Sequence, residues 1–503
     1  MTAEQKYRFY EILPGALVWI SLIGLLALSF VLPLWVIVFI IIYDLFWLFK
    51  IVYFSFYLIV SWTKYKEVIK KNWLSETKSL PDYEKYYHLI FLPVYKEGYE
   101  IIHETFSAIA KSNYPKDKMI IVLTGEERGD KEGFLKNAQK IKDEFGNLFF
   151  RFLTVVHPDN LPGEKQGKGS NINYAGWKAK GLIDELGFDY EKVIVSALDI
   201  DTLVHPEYFG YLTFKYISNP NRTRRSFQPI AVYANNIWTS SAMVRVVSFG
   251  TTFWLMNELA HPERVVTFSS HSMSFAALVD VGFWDKTVVS EDSRIFLQCL
   301  IKYHGDYQVD SLHIPVYMNT VMTSKYWESL KNLYKQQRRW AYGVENTPYL
   351  FTKFLTDKLT PLRTRLKYIF NQLEGMFSWA TAPILIFVLG RLPLWVAGEN
   401  VKKLIFVQNS PYILEDIMRV SMLGIFISAL LSLFLLPPKP AGTAKSFYLT
   451  VILQWILIPL TIVIFSAFPA IDAQTRAMLG KRMGFWVTPK EKVSSKPIEE
   501  AKA

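Results

Sequence analysis

The sequence predicts an α/β protein, with a mainly parallel sheet and flanking helices set between N- and C-terminal membrane helices. Two observations predict it. Between about residues 75 and 345, short runs rich in β-branched and aromatic residues alternate with helical patterns. The runs are His88–Leu92, Met119–Leu123, Phe149–Val156 and Val193–Ala197, and the helical patterns include Tyr99–Ser112, Lys131–Phe145 and Ser170–Leu186. Strands separated by helices of this length imply βαβ units. Outside that stretch, apolar residues gather in long blocks at both ends of the chain.

The blocks set the membrane reading. From about Leu13 to Trp62 the only charges are Asp44 and Lys50, and the run is broken near Leu32–Pro33. A crossing needs roughly 20 apolar residues, so spans are expected over about 13–32 and 34–60. A signal peptide is not expected, because the run is too long and a second span follows at once. Lys64, Lys66, Lys70 and Lys71 follow the second span. Basic flanks mark the cytoplasmic side, so the chain is read as starting inside and returning inside. Further apolar blocks lie at about 369–396, 414–436 and 446–468. Their parity conflicts with the basic Lys481, Arg482, Lys490 and Lys492, since three crossings would put those residues outside. Either one block does not cross, or a crossing lies near 390–413.

Composition narrows the class. The 503 residues are 51% hydrophobic and 20% charged, which excludes low-complexity disorder. One cysteine, Cys299, excludes an intramolecular disulfide framework and a Cys-rich zinc site. The net charge of +11 suits an anionic partner. Much of it flanks the apolar blocks, so membrane lipid explains it better than nucleic acid.

Several residue sets carry chemistry, and ligands in such sheets sit beyond the carboxyl ends of strands. Asp199-x-Asp201 follows the strand Val193–Ala197. Two carboxylates there could share a hard cation with a diphosphate, although a solvated turn would look the same. Glu291-Asp292 follows Ser290 at a helix start. That pattern fits an N-cap, but also a general base held ionised by the helix dipole. Gln336, Arg339 and Trp340 share one helix face at i, i+3 and i+4. They offer phosphate pairing and stacking, or else a headgroup anchor. Lys168, in the glycine-bearing Pro162–Asn171 stretch, could meet a phosphate at a helix N-terminus. The stretch does not match a Walker A loop. Tyr95 and Glu97 follow the first strand of the region and could flank a nucleobase.

Taken in order, these sets resemble membrane-embedded family 2 glycosyltransferases, the group of cellulose and hyaluronan synthases. The resemblance rests on Pro93–Glu97, Gly167-Lys168 with Asn173, Asp199-x-Asp201, Glu291-Asp292, Gln336–Trp340 and Gly484–Lys490, the last similar to an F-x-V-T-x-K gating loop. It implies a GT-A domain on the cytoplasmic side of the plasma membrane, with a glycan path through the spans. It implies units at 1–74 (transmembrane hairpin), 75–322 (catalytic domain), 323–368 (interface helices), 369–470 (C-terminal spans) and 471–503 (gating-like loop and disordered tail). By the same resemblance Asp292 is the base. Tyr95, Glu97, Glu126, Lys168, Asp199, Gln336, Arg339 and Trp340 bind the donor, and Asp201 with Asp199 holds Mg²⁺ or Mn²⁺. Glu291, Trp340, Phe485, Val487, Thr488 and Lys490 serve acceptor and gating roles.

The chain departs from the family pattern in places. Glu126 stands where relatives often carry Asp, and Ser269–Ser272 stands where Gly-Thr is common. The implied reaction is inverting transfer from a nucleotide-diphosphate sugar, with a UDP-sugar favoured and GDP-mannose left open. Asp292 would take the acceptor proton while metal and Arg339 neutralise the leaving diphosphate. The acceptor is a growing β-glycan that is then exported or, alternatively, a membrane lipid that receives one sugar. A non-enzymatic transporter or scaffold is disfavoured by the intact acidic residues.

Overall fold

The computed structural model describes residues 1–488 other than 439, 441, 443, 445 and 485. Phe485, Lys490 and the expected tail lie outside the described residues. Eight strands form one sheet in the order β3-β2-β1-β4-β7-β6-β8-β5. They are β1 Tyr87–Val94, β2 Met119–Glu126, β3 Arg151–His157, β4 Val193–Ala197, β5 Leu203–Val204, β6 Arg225–Tyr233, β7 Ser272–Ser274 and β8 Gln308–Met318. Pairings β1–β2, β1–β4, β2–β3 and β6–β8 are parallel, while β7 runs antiparallel to β4 and β6, and β5 to β8.

The apolar runs at the centre have a simple cause. Every residue of β2 and of β4 is buried, because helices cover both faces of the sheet. The helices Tyr99–Lys111, Lys131–Phe145 and Lys168–Glu185 supply that cover and agree with the sequence patterns to within two residues. Burying a large apolar side chain such as Phe91 or Phe106 contributes roughly 1.5–3 kcal/mol each.

Among the described residues, five helices are long and apolar enough to cross a membrane: Ala3–Val31, Pro33–Val68, Leu362–Val396, Ile405–Phe434 and Phe447–Met478. The first begins ten residues earlier than the apolar block suggests. Thr2 and Gln5 form a capping box, and Tyr10 then packs on Phe351 at 4.9 Å between ring centres. No additional long helix lies within 390–413: the third ends at Val396, the short helix Glu399–Lys402 follows, and the fourth starts at Ile405. The short helix Trp73–Lys78, which follows the second long helix, is tied to the sheet domain through Glu207. Its carboxylate accepts from the Trp73 and Leu74 amides at 2.8 and 3.1 Å.

Candidate active site

The site is built where strand ends meet helix starts. Beyond β4, Ala197 and Leu198 keep pairing with His271 and Phe91. The chain then turns, with the Thr202 amide donating to the Asp199 carbonyl at 2.9 Å. Asp199 and Asp201 therefore stand at the carboxyl edge of the sheet. Ser269, brought alongside by β7, donates to Asp199 Oδ2 at 2.6 Å. Asp201 is buried, and its Oδ2 accepts from the Asn319 amide at 3.3 Å.

Lys168 opens the helix Lys168–Glu185. The preceding Gly167 has φ +148°, a left-handed-side conformation that a side chain would strain. That turn aims the lysine inward. Its ammonium donates to Asp199 Oδ1 at 2.7 Å and to Asp292 Oδ1 at 3.0 Å, and lies 3.7 Å from Glu291 Oε1. Burial pulls the lysine's pKa down, but the three carboxylates outweigh it and hold the ammonium above its ordinary value.

Glu291 and Asp292 occupy the first turn of the helix Glu291–Lys302. Glu291 is fully enclosed; burial, helped by the neighbouring Asp292 charge, pushes its pKa up. Asp292 keeps 24% of its side-chain surface exposed, so it can meet a substrate. Ser290 makes no cap for this helix. Its hydroxyl instead donates to Glu345 at 2.9 Å, and the same carboxylate oxygen accepts from the Val289 and Ser290 amides. His271 lies 3.7 Å from Asp292, and burial lowers its pKa.

The helix Tyr326–Ala341 buries Gln336 and presents Trp340 between Tyr233 and Phe268, at 5.9 and 5.7 Å between ring centres. Tyr233 faces the acidic set; burial, then Asp199 and Asp201, push its hydroxyl's pKa well up, and Arg339 opposes them. The structure thus gathers Lys168, Asp199, Asp201, Glu291, Asp292, Arg339 and Trp340 from four separate segments of the chain.

A cavity of about 280 Å³ opens beside this cluster, lined by Glu126, Arg128, His157, Asp159, Glu164 and Gln166, among others. Burial raises the Glu126 pKa, with Arg128 opposing. The Arg128 Nε donates to Glu126 at 2.5 Å, its guanidinium stacks 4.3 Å above the Tyr95 ring, and its Nη2 is buried without a partner among the described residues. Sequence reasoning missed Arg128 and His157, although both lie at the ends of apolar strands. Glu97 turns back on its own loop, accepting from the Tyr95 and Lys96 amides. Asn173 holds the carbonyls of Gly282 and Trp284. Trp486 lies against Lys335 at 5.0 Å, one turn before Arg339. Val487 is half-buried, and Thr488 is buried with its hydroxyl unpartnered among the described residues.

Residues 194–468, more than half of the chain, match the glycosyl transferase family group 2. The chain belongs to this family. As a family 2 glycosyltransferase, it has the GT-A-like layout expected of it, a mostly parallel sheet with flanking helices. It is 24% identical over 253 residues to the poly-β-1,6-N-acetyl-D-glucosamine synthase of Staphylococcus aureus (strain COL), a match covering 50% of this chain. The Staphylococcus epidermidis synthase is 22% identical over 256 residues. The chain spans about half the length of these curated relatives, 53% in both cases. Among solved structures it resembles the mannosyltransferase PcManGT of Pyrobaculum calidifontis, in complex with GDP-Man and Mn²⁺. That likeness has a TM-score of 0.44 at 14% identity and covers 85% of this chain and all of the other. It also resembles S. aureus TarS 1–349 in complex with UDP-GlcNAc, with a TM-score of 0.37 at 14% identity, covering 68% of this chain and 90% of that one.

Proposed function

We propose that this membrane glycosyltransferase transfers sugar from a nucleotide-diphosphate sugar, with inversion, to a growing β-linked polysaccharide that it exports. One observation carries the reading. A single ammonium, that of Lys168, joins the strand-end carboxylate Asp199 to the helix-start carboxylate Asp292, residues 93 positions apart in the sequence. That arrangement sets a diphosphate-side carboxylate and a base-side carboxylate around one reaction centre.

The division of labour follows from exposure. Asp292, partly open, accepts the proton of the acceptor hydroxyl as that oxygen attacks the anomeric carbon. Lys168 holds the Asp292 carboxylate in place. Attack from the face opposite the leaving diphosphate inverts the centre. Arg339 and Lys168 neutralise the charge that develops on the leaving group. Trp340, with Tyr233 and Phe268, forms an aromatic wall on which a sugar ring stacks. The 280 Å³ cavity takes the nucleobase, with Glu126 accepting from a ring N–H and Arg128 donating to a ring carbonyl.

Mg²⁺ or Mn²⁺ suits the residues present. Asp199 and Asp201 are hard oxygen donors, and Asp199 already draws a cation in the form of Lys168. Among the described residues no group of three or more His, Cys, Asp or Glu forms a metal cage. Such ions use one or two carboxylates and complete their shell with phosphate oxygens and water. When bound, the ion would supply charge neutralisation on the diphosphate.

The basic Lys64, Lys66, Lys70 and Lys71 after the second long helix support a reading with the catalytic domain on the cytoplasmic side of the plasma membrane. The test uses the full chain in nanodiscs with Mn²⁺ and a panel of UDP- and GDP-sugars. Nucleotide release and product size are read from one sample. A polymer made from one donor is expected. A product never longer than one added sugar on a lipid would overturn polymer synthesis while leaving transfer intact.

A further inference from the structure

The helix that carries Asp292 begins without a cap of its own. Among the described residues, no side-chain cap closes the start of Glu291–Lys302. Yet Asp292 must stand at a fixed place to take a proton. A helix start normally has a side chain close in sequence to satisfy its free amides. Here the acceptor comes from a distant part of the chain.

That acceptor is Glu345, five residues beyond Trp340, at the end of the 3₁₀ turn Tyr342–Glu345. Its Oε1 accepts from the Val289 amide at 2.7 Å, the Ser290 amide at 2.9 Å and the Ser290 hydroxyl at 2.9 Å. Its Oε2 accepts from Lys165 Nζ at 3.4 Å, in the loop that leads to Gly167-Lys168. The Glu345 carbonyl accepts from Arg294 Nη2 at 3.2 Å. The next residue, Asn346, accepts from Arg294 Nε at 2.7 Å and donates to Ser293 Oγ at 2.9 Å. Hydrogen bonds to an ionised acceptor are roughly twice as strong as neutral ones, and the Glu345 side chain is only 13% exposed.

These bonds fall on residues 289, 290, 293 and 294, on both sides of Asp292. None of them uses the Asp292 carboxylate, which stays open to Lys168 and to an acceptor hydroxyl. The Asp292 carbonyl is held in turn by Thr267 Oγ1. The donor side leaves little slack. A Cβ at Gly169 would lie 3.0 Å from the Asp285 carbonyl and 3.1 Å from Glu291 Cβ. Trp340 and Glu345 belong to adjoining turns, so the segment that presents the aromatic wall also holds the start of this helix.

We propose that Glu345, seconded by Asn346, is a positioning residue for transfer. It fixes the Ser290–Arg294 turn, and hence Asp292, relative to Arg339, Trp340 and the Lys165–Lys168 loop. It acts through Asp292 and not on the substrate. This role rests on Asp292 being the base.

The test uses the full chain in nanodiscs with Mn²⁺ and a panel of UDP- and GDP-sugars, with UDP and GDP titrated separately for binding. Glu345→Ala is expected to lower kcat by about 10²-fold, the scale of a reacting group displaced by roughly 1 Å, with nucleotide affinity little changed. Glu345→Gln keeps an oxygen for the two amides and should recover most of that loss. A double-mutant cycle separates positioning from a general structural role. Added to Asp292→Asn, Glu345→Ala should lower the rate hardly further, and losses that multiply would overturn the proposal. Hydrogen exchange gives a reading that needs no activity. Peptides covering 287–297 should lose protection in Glu345→Ala while those covering β4 keep it, and unchanged protection at 287–297 would overturn the proposal. A parental rate in Asp292→Asn would instead remove the base, and the positioning role with it, whatever exchange shows. If Glu345→Ala does not fold, Asn346→Ala goes through the same cycle and exchange under the same criteria.

Discussion

The Lys168 ammonium lies 3.0 Å from Asp292 Oδ1, across 124 residues of sequence, and it also holds Asp199. Two aspartate carboxylates and the carboxyl group of Glu291 thus surround one buried cation. Removing one partner of a buried charge cluster costs about 3–5 kcal/mol, because the remaining charges lose their compensation. Lys168→Met is expected to lower the unfolding midpoint of the detergent-solubilised protein, with added Mn²⁺ recovering part of the loss. Lys168→Arg keeps the charge and should unfold closer to the parent. An unchanged midpoint for Lys168→Met would show that the carboxylates do not depend on this cation.

Glu291 and Asp292 are neighbours in sequence with opposite environments. Asp292→Asn should lower the rate of transfer about 10²–10⁴-fold, as loss of a general base does, while titrations still show nucleotide binding. Glu291→Gln should change the rate only a few-fold, since burial keeps Glu291 protonated and the amide resembles that form. A pH signature accompanies this. The folded-state pKa of Glu291 is pushed up to about 8, above its ordinary value, so between the two values the folded chain holds a proton that the unfolded chain has lost. That group's stabilising contribution is complete below the ordinary carboxylate range and is lost as pH rises towards about 8. The unfolding midpoint of the parent, relative to Glu291→Gln, should fall between pH 5 and pH 8. Parallel curves for the two proteins would refute a protonated Glu291.

Much of this arrangement is legible in the sequence, and the limits have physical causes. The central strands are readable because both of their faces are buried, which writes Val193–Ala197 as a continuous apolar run. The acidic pairs are readable because they sit at fixed offsets from those runs. Their meeting at Lys168 is not readable, because it depends on how β7 and the helix starts fold over the sheet edge. Arg128 escaped notice because its meaning depends on Tyr95, 33 positions earlier, beneath its guanidinium. The fifth apolar block reads as a span by hydropathy alone. Its bonds with Arg245, Arg338 and Arg8, from distant parts of the chain, leave no mark in the block itself.

The cavity beside the acidic cluster makes a separate prediction about donor affinity. Among the described residues Arg128 Nη2 is buried without a partner, which costs free energy unless a ligand accepts from it. Arg128→Ala should therefore raise the KM for the nucleotide sugar by about tenfold, the equivalent of ~1.4 kcal/mol, with a smaller change in kcat. Steady-state kinetics over donor concentration separate the two. A fall in kcat at unchanged KM would place Arg128 at the reacting centre and not at the base.

Asp472 connects the helix Phe468–Met478 to the helix that carries Gln336, Arg339 and Trp340. It pairs with Arg338 at 2.8 Å and with Arg476 at 2.6 Å. Arg338 is the residue before Arg339, so the pair fixes the rotation of the helix that presents the donor-facing side chains. Asp472→Ala and Arg338→Ala should each reduce kcat several-fold while leaving the helix packed through Leu330 and Leu333. Residues that act through one contact are not additive, with interaction energies of about 0.5–3 kcal/mol. The double variant should therefore be little worse than either single one. Fully multiplicative losses would mean that Asp472 acts elsewhere, and restored activity in Asp472→Arg combined with Arg338→Asp would establish the pair as the element that sets this helix.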